Sequence, residues 1–347
     1  MKKVSVIIPC YNVEEYIDRC FESLVNQTIG MEQLELIFIN DASTDHTLEK
    51  LLQYEQQFPE NILVINFETN QRQGTARNIG LQYATAPYVG YVDADDWIEL
   101  NMFERMVSTI EEYDCDFVEC RWDFAKDYTN RRLSDKFGED GYMDLSDIKV
   151  REEFVGTKIA LVMSWDKLFK RSFLLEKAIC YPEGLRHEDF YFSYLVFLYA
   201  DSCYCMGDVL YHYYINPQST VRQSGQVYHF DQMVVMLEFL QTCMERGLWE
   251  SYKVIVEWMF LEQYYVYMLW KVFEQFPQQA YTVYLEMKDT IKEWIPDYRN
   301  NPYRKRECNR FDEVMLKLLD YDLTAEQFEK MRQQFLESIR PTDVQQF

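Results

Sequence analysis

Near-continuous apolar runs alternate with amphipathic stretches over the first 124 residues, and nothing else in the chain restricts its fold as strongly. VSVIIP (4–9), LELIFI (34–39), ILVINF (62–67) and YVGYV (88–92) have the composition of short strands buried on both faces. Between the first two, Tyr16, Ile17, Cys20, Phe21, Leu24 and Val25 recur at helical spacing, with Asn12 and Glu15 placed as a capping-box variant. Leu48, Leu51, Leu52 and Phe58 mark a second helix, and a third is expected from Thr75 to Ala84. A fourth passes through Leu100, Phe103, Met106, Val107 and Ile110, and DFVECRW (116–122) reads as a further strand. This βαβαβαβ order predicts an α/β fold: a mostly parallel sheet with helices on both faces and right-handed crossovers. Such sheets bind ligands at the carboxyl ends of their strands, which sends Tyr11-Asn12, Asn40-Asp41 and Asp93–Asp96 to one edge.

The rest of the chain divides by character. Residues 1–224 are expected to form one domain in two halves, 1–124 and 125–224. The stretch from Ala125 to Asp147 is polar and reads as a surface excursion. Residues 225–347 are expected to be a helical domain, with stripes Met233, Leu237, Leu240, Met244 and Trp258, Leu261, Tyr265, Met268, Val272, Phe276. Thr324 with Gln327 should cap a last helix through Phe328, Met331, Phe335 and Ile339.

Charge and cysteine usage exclude several classes. The 35 Lys and Arg face 58 Asp and Glu, a net charge of −23 that argues against nucleic acid and against electrostatic docking on anionic lipid. Nine cysteines, an odd number with members in apolar stripes, predict reduced core thiols and a cytoplasmic protein. Cys203, Cys205 and His212 lack a fourth zinc ligand at sensible spacing. Pro9 interrupts the N-terminal apolar run and Glu14-Glu15 ends it, so no signal peptide is expected there. No charge-free stretch approaches the roughly 18 residues of a membrane helix. Any membrane association is therefore expected to be peripheral, and the acidic helical region points to a protein partner or a homodimer rather than to lipid.

GYVDADDW (90–97) places Asp93, Asp95 and Asp96 at the end of an apolar run. Three carboxylates so close repel one another, so the turn is either fully solvated or completed by a hard cation such as Mg2+ or Mn2+. His187-Glu188-Asp189 opens an apolar helix, where Asp189 is either a helix cap or an acid–base group. A nicotinamide-dependent reading fails, because PCYN stands where a G-x-G-x-x-G would follow the first strand.

Taken in order, VSVIIPCYN, INDASTD, GTARNIG, VDADDW, SWDKLF and RHEDFYF resemble glycosyltransferase family 2, densely over 1–122 and in patches over 160–222. The chain departs from the family pattern at Asn40 and Ala42. The resemblance implies a GT-A fold and an inverting, non-processive, metal-dependent transfer of a sugar from a nucleotide-sugar donor to a saccharide or glycolipid acceptor in cell-surface polysaccharide synthesis. A UDP-sugar is the expected donor. A non-catalytic nucleotide-sugar-binding scaffold is the alternative.

By the same resemblance Pro9, Tyr11 and Asn12 cradle the base, and Asp41 bonds its edge, unless Asp41 is a turn or cap residue. Gly74 and Ala76 would let backbone pass close to a ligand. Arg77 and Asn78 would meet the diphosphate from a helix start, unless Arg77 only neutralises the aspartates. Asp93, Ala94 and Asp95 match the family's Asp-x-Asp, with Asp95 the principal ligand of a divalent metal (Mn2+ or Mg2+) and Asp93 on the ribose or the metal. Asp189 is the implied base, with Glu188 or His187 as alternates. Trp165 would floor the sugar site, with Asp166 and Lys167 beside it, and Ser219 and Thr220 would lie near the phosphates.

Overall fold

The structure is a computed structural model and describes residues 1–127, 131–133, 140–156, 162–216, 225–306 and 310–338. It separates into two compact units, Met1–Arg222 and Gln223–Phe347. The first runs β1 (Val4–Cys10), α1 (Ile17–Val25), β2 (Leu34–Asn40), α2 (Thr47–Gln57), β3 (Ile62–Asn66), α3 (Arg72–Tyr83) and β4 (Tyr88–Tyr91). It continues through β5 (Trp97–Ile98), α4 (Met102–Tyr113), β6 (Phe117–Ala125), β7 (Arg131–Leu133), β8 (Gly141–Asp144) and α5 (Ile148–Gly156). It closes with β9 (Lys167–Lys170), α6 (Arg171–Glu176), α7 (Glu188–Tyr199) and β10 (Ser202–Tyr214).

These strands form one sheet in the order β3-β2-β1-β4-β9-β6-β10-β5, with β7 beside β6 and β8 beside β10. The expected parallel pairing holds for β3-β2-β1-β4 and for β6-β10. The departures are β9, which enters antiparallel to both β4 and β6, and the antiparallel strands β5 and β8 on β10 and β7 on β6, which together make the sheet mixed. Neither β9 nor β10 was expected as a strand. KLFK is too short to show a period, and β10 carries a Gly-Asp pair and register shifts between Cys205 and Tyr211.

Alternation within β1 and β2 explains why helices cover both faces. Val6, Ile8, Leu36 and Phe38 join the core with α1, α2 and α4, including Phe21, Leu24, Leu51, Phe103 and Met106. Ile7 and Ile39 point the other way, against Gly80 of α3. Tyr91 shares that second face, where Phe192 of α7 lies 5.9 Å from its ring and Tyr181 5.7 Å.

Two helix starts differ from expectation. Helix α1 begins at Ile17 with no side-chain cap, because Asn12 reaches instead to the 43–44 loop. Helix α3 begins at Arg72, one turn earlier than expected, so Arg77 and Asn78 lie in the helix body rather than at its start.

The second unit is helical: α8 (Asp231–Glu245), α9 (Leu248–Phe260), a π-helix (Leu261–Tyr267), α10 (Met268–Gln275), α11 (Ala280–Trp294), α12 (Tyr303–Arg306), α13 (Arg310–Lys317) and α14 (Ala325–Ser338). The stripe from Trp258 to Phe276 is buried throughout, whereas Leu237 is exposed and Met236 and Phe239 fill the core in its place. Thr324 and Gln327 form the expected reciprocal box, with backbone-to-side-chain bonds of 2.9 and 3.3 Å. All eight cysteines among the described residues are free, seven of them buried. No helix among the described residues is long and apolar enough to cross a membrane.

Gly80 makes a direct test of the packing on the second face. A Cβ there would stand 2.4 Å from Ile7 Cγ2 and 3.1 Å from Ile39 Cδ1. We expect Gly80→Ala to lose about 1–3 kcal/mol in urea denaturation, although alanine ordinarily favours a helix.

Candidate active site

Arg77 is the centre of the site. Projecting from the second turn of α3, its side chain is 1% exposed and meets three carboxylates. Nη2 donates to Asp93 Oδ1 at 2.9 Å, and Nη1 donates to Glu188 Oε1 at 2.7 Å and to Asp189 Oδ1 at 3.1 Å. One guanidinium thus joins α3 to the end of β4 and the first turn of α7, segments 16 and more than 100 residues away. The two acids of α7 differ in access. Glu188 is fully buried, while the side chains of Asp93 and Asp189 are 26% and 25% exposed.

One cation cannot neutralise three anions. Burial pushes Asp189 up to about 8, helped by the charges of Glu188 and Asp93 and opposed by Arg77. Burial likewise raises Glu188. Asp189 and Glu188 therefore hold a proton more tightly than ordinary carboxylates do.

Gly74 and Asn78 serve the same contact in ways the sequence did not announce. A Cβ on Gly74 would lie 2.8 Å from the Pro182 carbonyl and 3.2 Å from Glu188 Cγ, so the close approach it permits is to the 181–182 segment. Asn78 donates to the Tyr181 carbonyl at 2.9 Å and accepts from the Tyr181 N–H at 2.8 Å. Both ends of its amide are spent on pinning that segment beside Arg77.

The acidic turn after β4 is mounted from elsewhere in the sheet. Asp96, fully buried, accepts from the Tyr211 hydroxyl at 2.6 Å and from the Tyr214 N–H at 2.6 Å. The Asp93 N–H donates to that same hydroxyl at 3.1 Å. Trp165 stacks on Tyr211 with centroids 4.2 Å apart and is buried in the core, a setting that supports Tyr211 rather than offering an open floor to a sugar. Ala94 is buried in the same core. Asp166 and Lys167, next along β9's approach, form a buried pair at 2.7 Å. Arg19, which the sequence reading missed, lies over Trp97 and Tyr214 and donates to the Asp95 carbonyl at 2.7 Å.

Asp95 is the member of the turn whose carboxylate faces outward with Asp93. Its Oδ2 accepts from Asn216 Nδ2 at 3.0 Å. Burial raises its pKa, and the neighbouring Asp93 charge adds to the effect. Two hard carboxylates that repel each other match the donor chemistry of Mg2+ or Mn2+, which takes one or two protein carboxylates and completes its shell with phosphate and water. Among the described residues no trio of His, Cys, Asp or Glu could hold a metal alone, so phosphate oxygens would be needed. His212 is not a zinc ligand here, since Asp123 and Glu99 hold its two nitrogens at 2.8 and 3.0 Å.

The expected base cradle lies at the ends of β1 and β2. Pro9 pairs with Ile39 in register, and Tyr11 is exposed just beyond. Asn12, in the left-handed region at φ 52°, accepts from the Thr44 N–H at 2.8 Å. Asp41 accepts from the Gln71 and Arg72 N–H groups at 2.6 and 2.9 Å, bridging β2 to the start of α3. Burial raises its pKa against those two bonds. The structure thus brings Asp93, Arg77, Glu188 and Asp189 into one cluster with Asp95 beside it, and sets Asp41 and Asn12 along the same strand ends. Ser219 and Thr220 lie outside the described residues.

Arg77→Met would leave two carboxylates of α7 and Asp93 without their cation. The raised folded-state pKa values of Glu188 and Asp189 make those two acids stabilising when protonated, and that stability is lost as pH rises through them. Removing the cation raises them further. We therefore expect a loss of about 3–5 kcal/mol near neutrality, shrinking toward pH 5 and growing toward pH 9, in urea titrations at each pH.

The chain is similar to known proteins in sequence and in fold. Residues 5–174 match the model of glycosyl transferase family 2. The chain is 30% identical over 223 residues to the putative glycosyltransferase EpsH of Bacillus subtilis, covering 63% of each. It is 31% identical over 215 residues to a poly(ribitol-phosphate) beta-glucosyltransferase of Bacillus spizizenii, covering 61% of this chain and 32% of that one. The chain thus spans from about a third to just under two thirds of these relatives' lengths. Among solved structures, residues 1–349 of TarS from S. aureus superpose with a TM-score of 0.73 at 20% identity, covering 98% of this chain and 93% of that one. The same fragment in complex with UDP-GlcNAc gives a TM-score of 0.69 at 20% identity, covering 93% and 95%. The GT-A architecture with a C-terminal helical region is therefore the fold of this chain, and its segment 5–174 belongs to glycosyl transferase family 2.

Proposed function

We propose that this protein transfers a sugar from a UDP-sugar to a hydroxyl group of a saccharide or glycolipid acceptor, with inversion and without processivity, in the assembly of a cell-surface polysaccharide. The observation that carries the proposal is the single guanidinium of Arg77 shared between Asp93, at the acidic turn, and Asp189, at the head of α7. That arrangement sets a donor-side group and an acceptor-side base at a fixed separation. The TarS complex with UDP-GlcNAc supports a uridine donor, and the poly(ribitol-phosphate) beta-glucosyltransferase supports a polyhydroxyl acceptor.

In this reading Pro9, Tyr11, Asn12 and Asp41 hold the nucleotide base. Asp41 is already fixed by two backbone N–H groups, so it offers its remaining lone pairs without reorganising. Asp95, with Asp93, would hold a divalent cation whose positive charge stabilises the leaving nucleoside diphosphate. Asp189 takes the proton of the acceptor hydroxyl as that oxygen attacks the anomeric carbon from the face opposite the diphosphate. Its partial exposure supports this assignment over fully buried Glu188. Arg77 and Glu188 then set the basicity of Asp189, the first lowering and the second raising its proton affinity. Ser164, with Oγ 3.5 Å from Asp189 Oδ1, limits the carboxylate's rotation.

Two outcomes are expected. Asp189→Asn should lower transfer by a factor of about 100 to 10,000 or more, with the UDP-sugar dissociation constant unchanged by calorimetry. Collapse of donor binding instead would make Asp189 a ligand or a structural residue. Because the base must be unprotonated, kcat/KM of the wild type should climb with pH toward a plateau above about 8, far above the ordinary carboxylate range. A panel of UDP-sugars with and without Mn2+, read by thermal shift and then by transfer, tests the whole reading. Nucleotide binding without transfer of any sugar would favour the scaffold alternative, and a chelator that leaves nucleotide affinity unchanged would remove the metal.

A further inference from the structure

We infer that a tyrosine shelf beside a small polar cleft, at the end of the sheet opposite the acidic turn, is a second saccharide site. It would hold a neutral stretch of the acceptor chain, and so rests on the transfer to a saccharide proposed above. Tyr142 of β8 lies directly opposite Tyr204 of β10 in their antiparallel register. Tyr113, the last residue of α4, adds a third ring, with its centroid 4.6 Å from Tyr204 and 6.1 Å from Tyr142. The Tyr113 and Tyr142 planes are only 22° apart. Three separate elements thus converge on one aromatic cluster and leave it open, with Tyr113 40% and Tyr142 48% exposed. Single exposed rings need no explanation, but rings gathered from three elements mark a contact surface.

The cleft beside the shelf has a volume of about 270 Å3. Lys170 joins the two features. It lines the cleft, and its Nζ donates to the carbonyl and the carboxylate of Asp114, the residue after Tyr113, at 2.8 and 2.6 Å. Asp116, Glu176 and Asp201 add acceptors to the walls, and Lys177 adds a donor. Tyr199 contributes a further ring, with Lys177 Nζ 5.8 Å from its centroid. Asp116 is set in place by the Asp201 N–H, which donates to its Oδ2 at 2.7 Å.

Chemistry selects the occupant. Acids and bases share the cleft, so it favours neither a polyanion nor a polycation. A sugar ring fits both features, because its hydroxyls donate and accept while its C–H face is apolar and can lie on a tyrosine ring. The volume falls just below the range that takes drug-sized ligands, which leaves space for about one ring in the cleft and the next on the shelf. A helical partner would need a continuous apolar groove instead. Position makes this a second site and not the acceptor's reacting end. Tyr204 stands near the start of β10, whereas Tyr211, farther along the strand, reaches the acidic turn. Strand rise separates the two by roughly 20–25 Å. An acceptor chain spanning that distance is held twice, which raises the effective concentration of its reacting hydroxyl at the catalytic edge.

Calorimetry and saturation-transfer NMR on the full chain test this without any reaction. The probes are neutral tetrasaccharides of glucose, mannose and N-acetylglucosamine, with tetragalacturonate as the anionic control. At least one neutral probe should bind, the anionic one should bind less tightly, and UDP should not displace either. Tyr113→Ala with Tyr142→Ala should weaken the neutral probe about tenfold, while Tyr142→Phe, which keeps the ring, should retain it. Melting temperature and UDP affinity should be the same in all three proteins. Failure of every neutral probe, tighter binding of the anionic one, or unchanged binding by the double alanine variant overturns the inference. So does sedimentation showing that copies of the wild type associate through these rings and copies of the variant do not. Sugar transfer from a UDP-sugar with saccharide binding indifferent to the rings sinks this inference alone. Ring-dependent saccharide binding without transfer of any sugar keeps the site and removes the enzymatic reading.

Discussion

A buried guanidinium facing three carboxylates is the constraint on which the first unit is organised. Arg77 could not be buried without anions, and Glu188 could not be buried without a cation. Each is tolerable only because the other is there, and the contact ties α3, the end of β4 and α7 together. The supporting details follow from that need. Gly74 lets the 181–182 segment come close, and Asn78 fixes it with two hydrogen bonds. Burial, helped by the residual negative charge, raises Asp189 out of the ordinary carboxylate range.

The acidic turn obeys the opposite rule. Beyond the Arg77 contact to Asp93, its geometry is imposed by neutral donors brought from far along the chain: Tyr211, the Tyr214 N–H and Asn216. Arg19 helps through a backbone carbonyl rather than through a carboxylate. The turn is thus rigid in shape while remaining under-neutralised. On the function proposed above, a donor diphosphate with its cation would meet a site whose shape is already set, the arrangement that favours preorganised electrostatic stabilisation.

Much of this was legible in the sequence, in proportion to how local its physics is. The apolar runs of β1 to β4 and the stripes of α1, α2 and α4 depend on periodicity alone, and these elements form where periodicity puts them, although Leu52, Leu63 and Leu100 are exposed and Leu100 lies before α4. The reciprocal box of Thr324 and Gln327 spans three residues and was equally readable. Asp93, Asp95, Glu188 and Asp189 were found through their motifs. What they touch was not. Arg77 was expected at a helix start, facing phosphate or else neutralising the aspartates; it lies a turn deeper and pairs with Asp93, as the second alternative had it, and also with Glu188 and Asp189. Trp165 was expected on the sugar and lies under Tyr211.

Sequence by itself determined the family, the alternating elements of the first half, the helical character of the last third and which acids are candidates for chemistry. Each follows from residue type and short-range spacing. Tertiary structure alone decided that β9 inserts antiparallel between β4 and β6, that β10 supplies the mount for the acidic turn, and that one arginine serves both sides of the candidate site. Those outcomes depend on pairing and charge burial between segments about a hundred residues apart, where no local pattern in the chain records the partner.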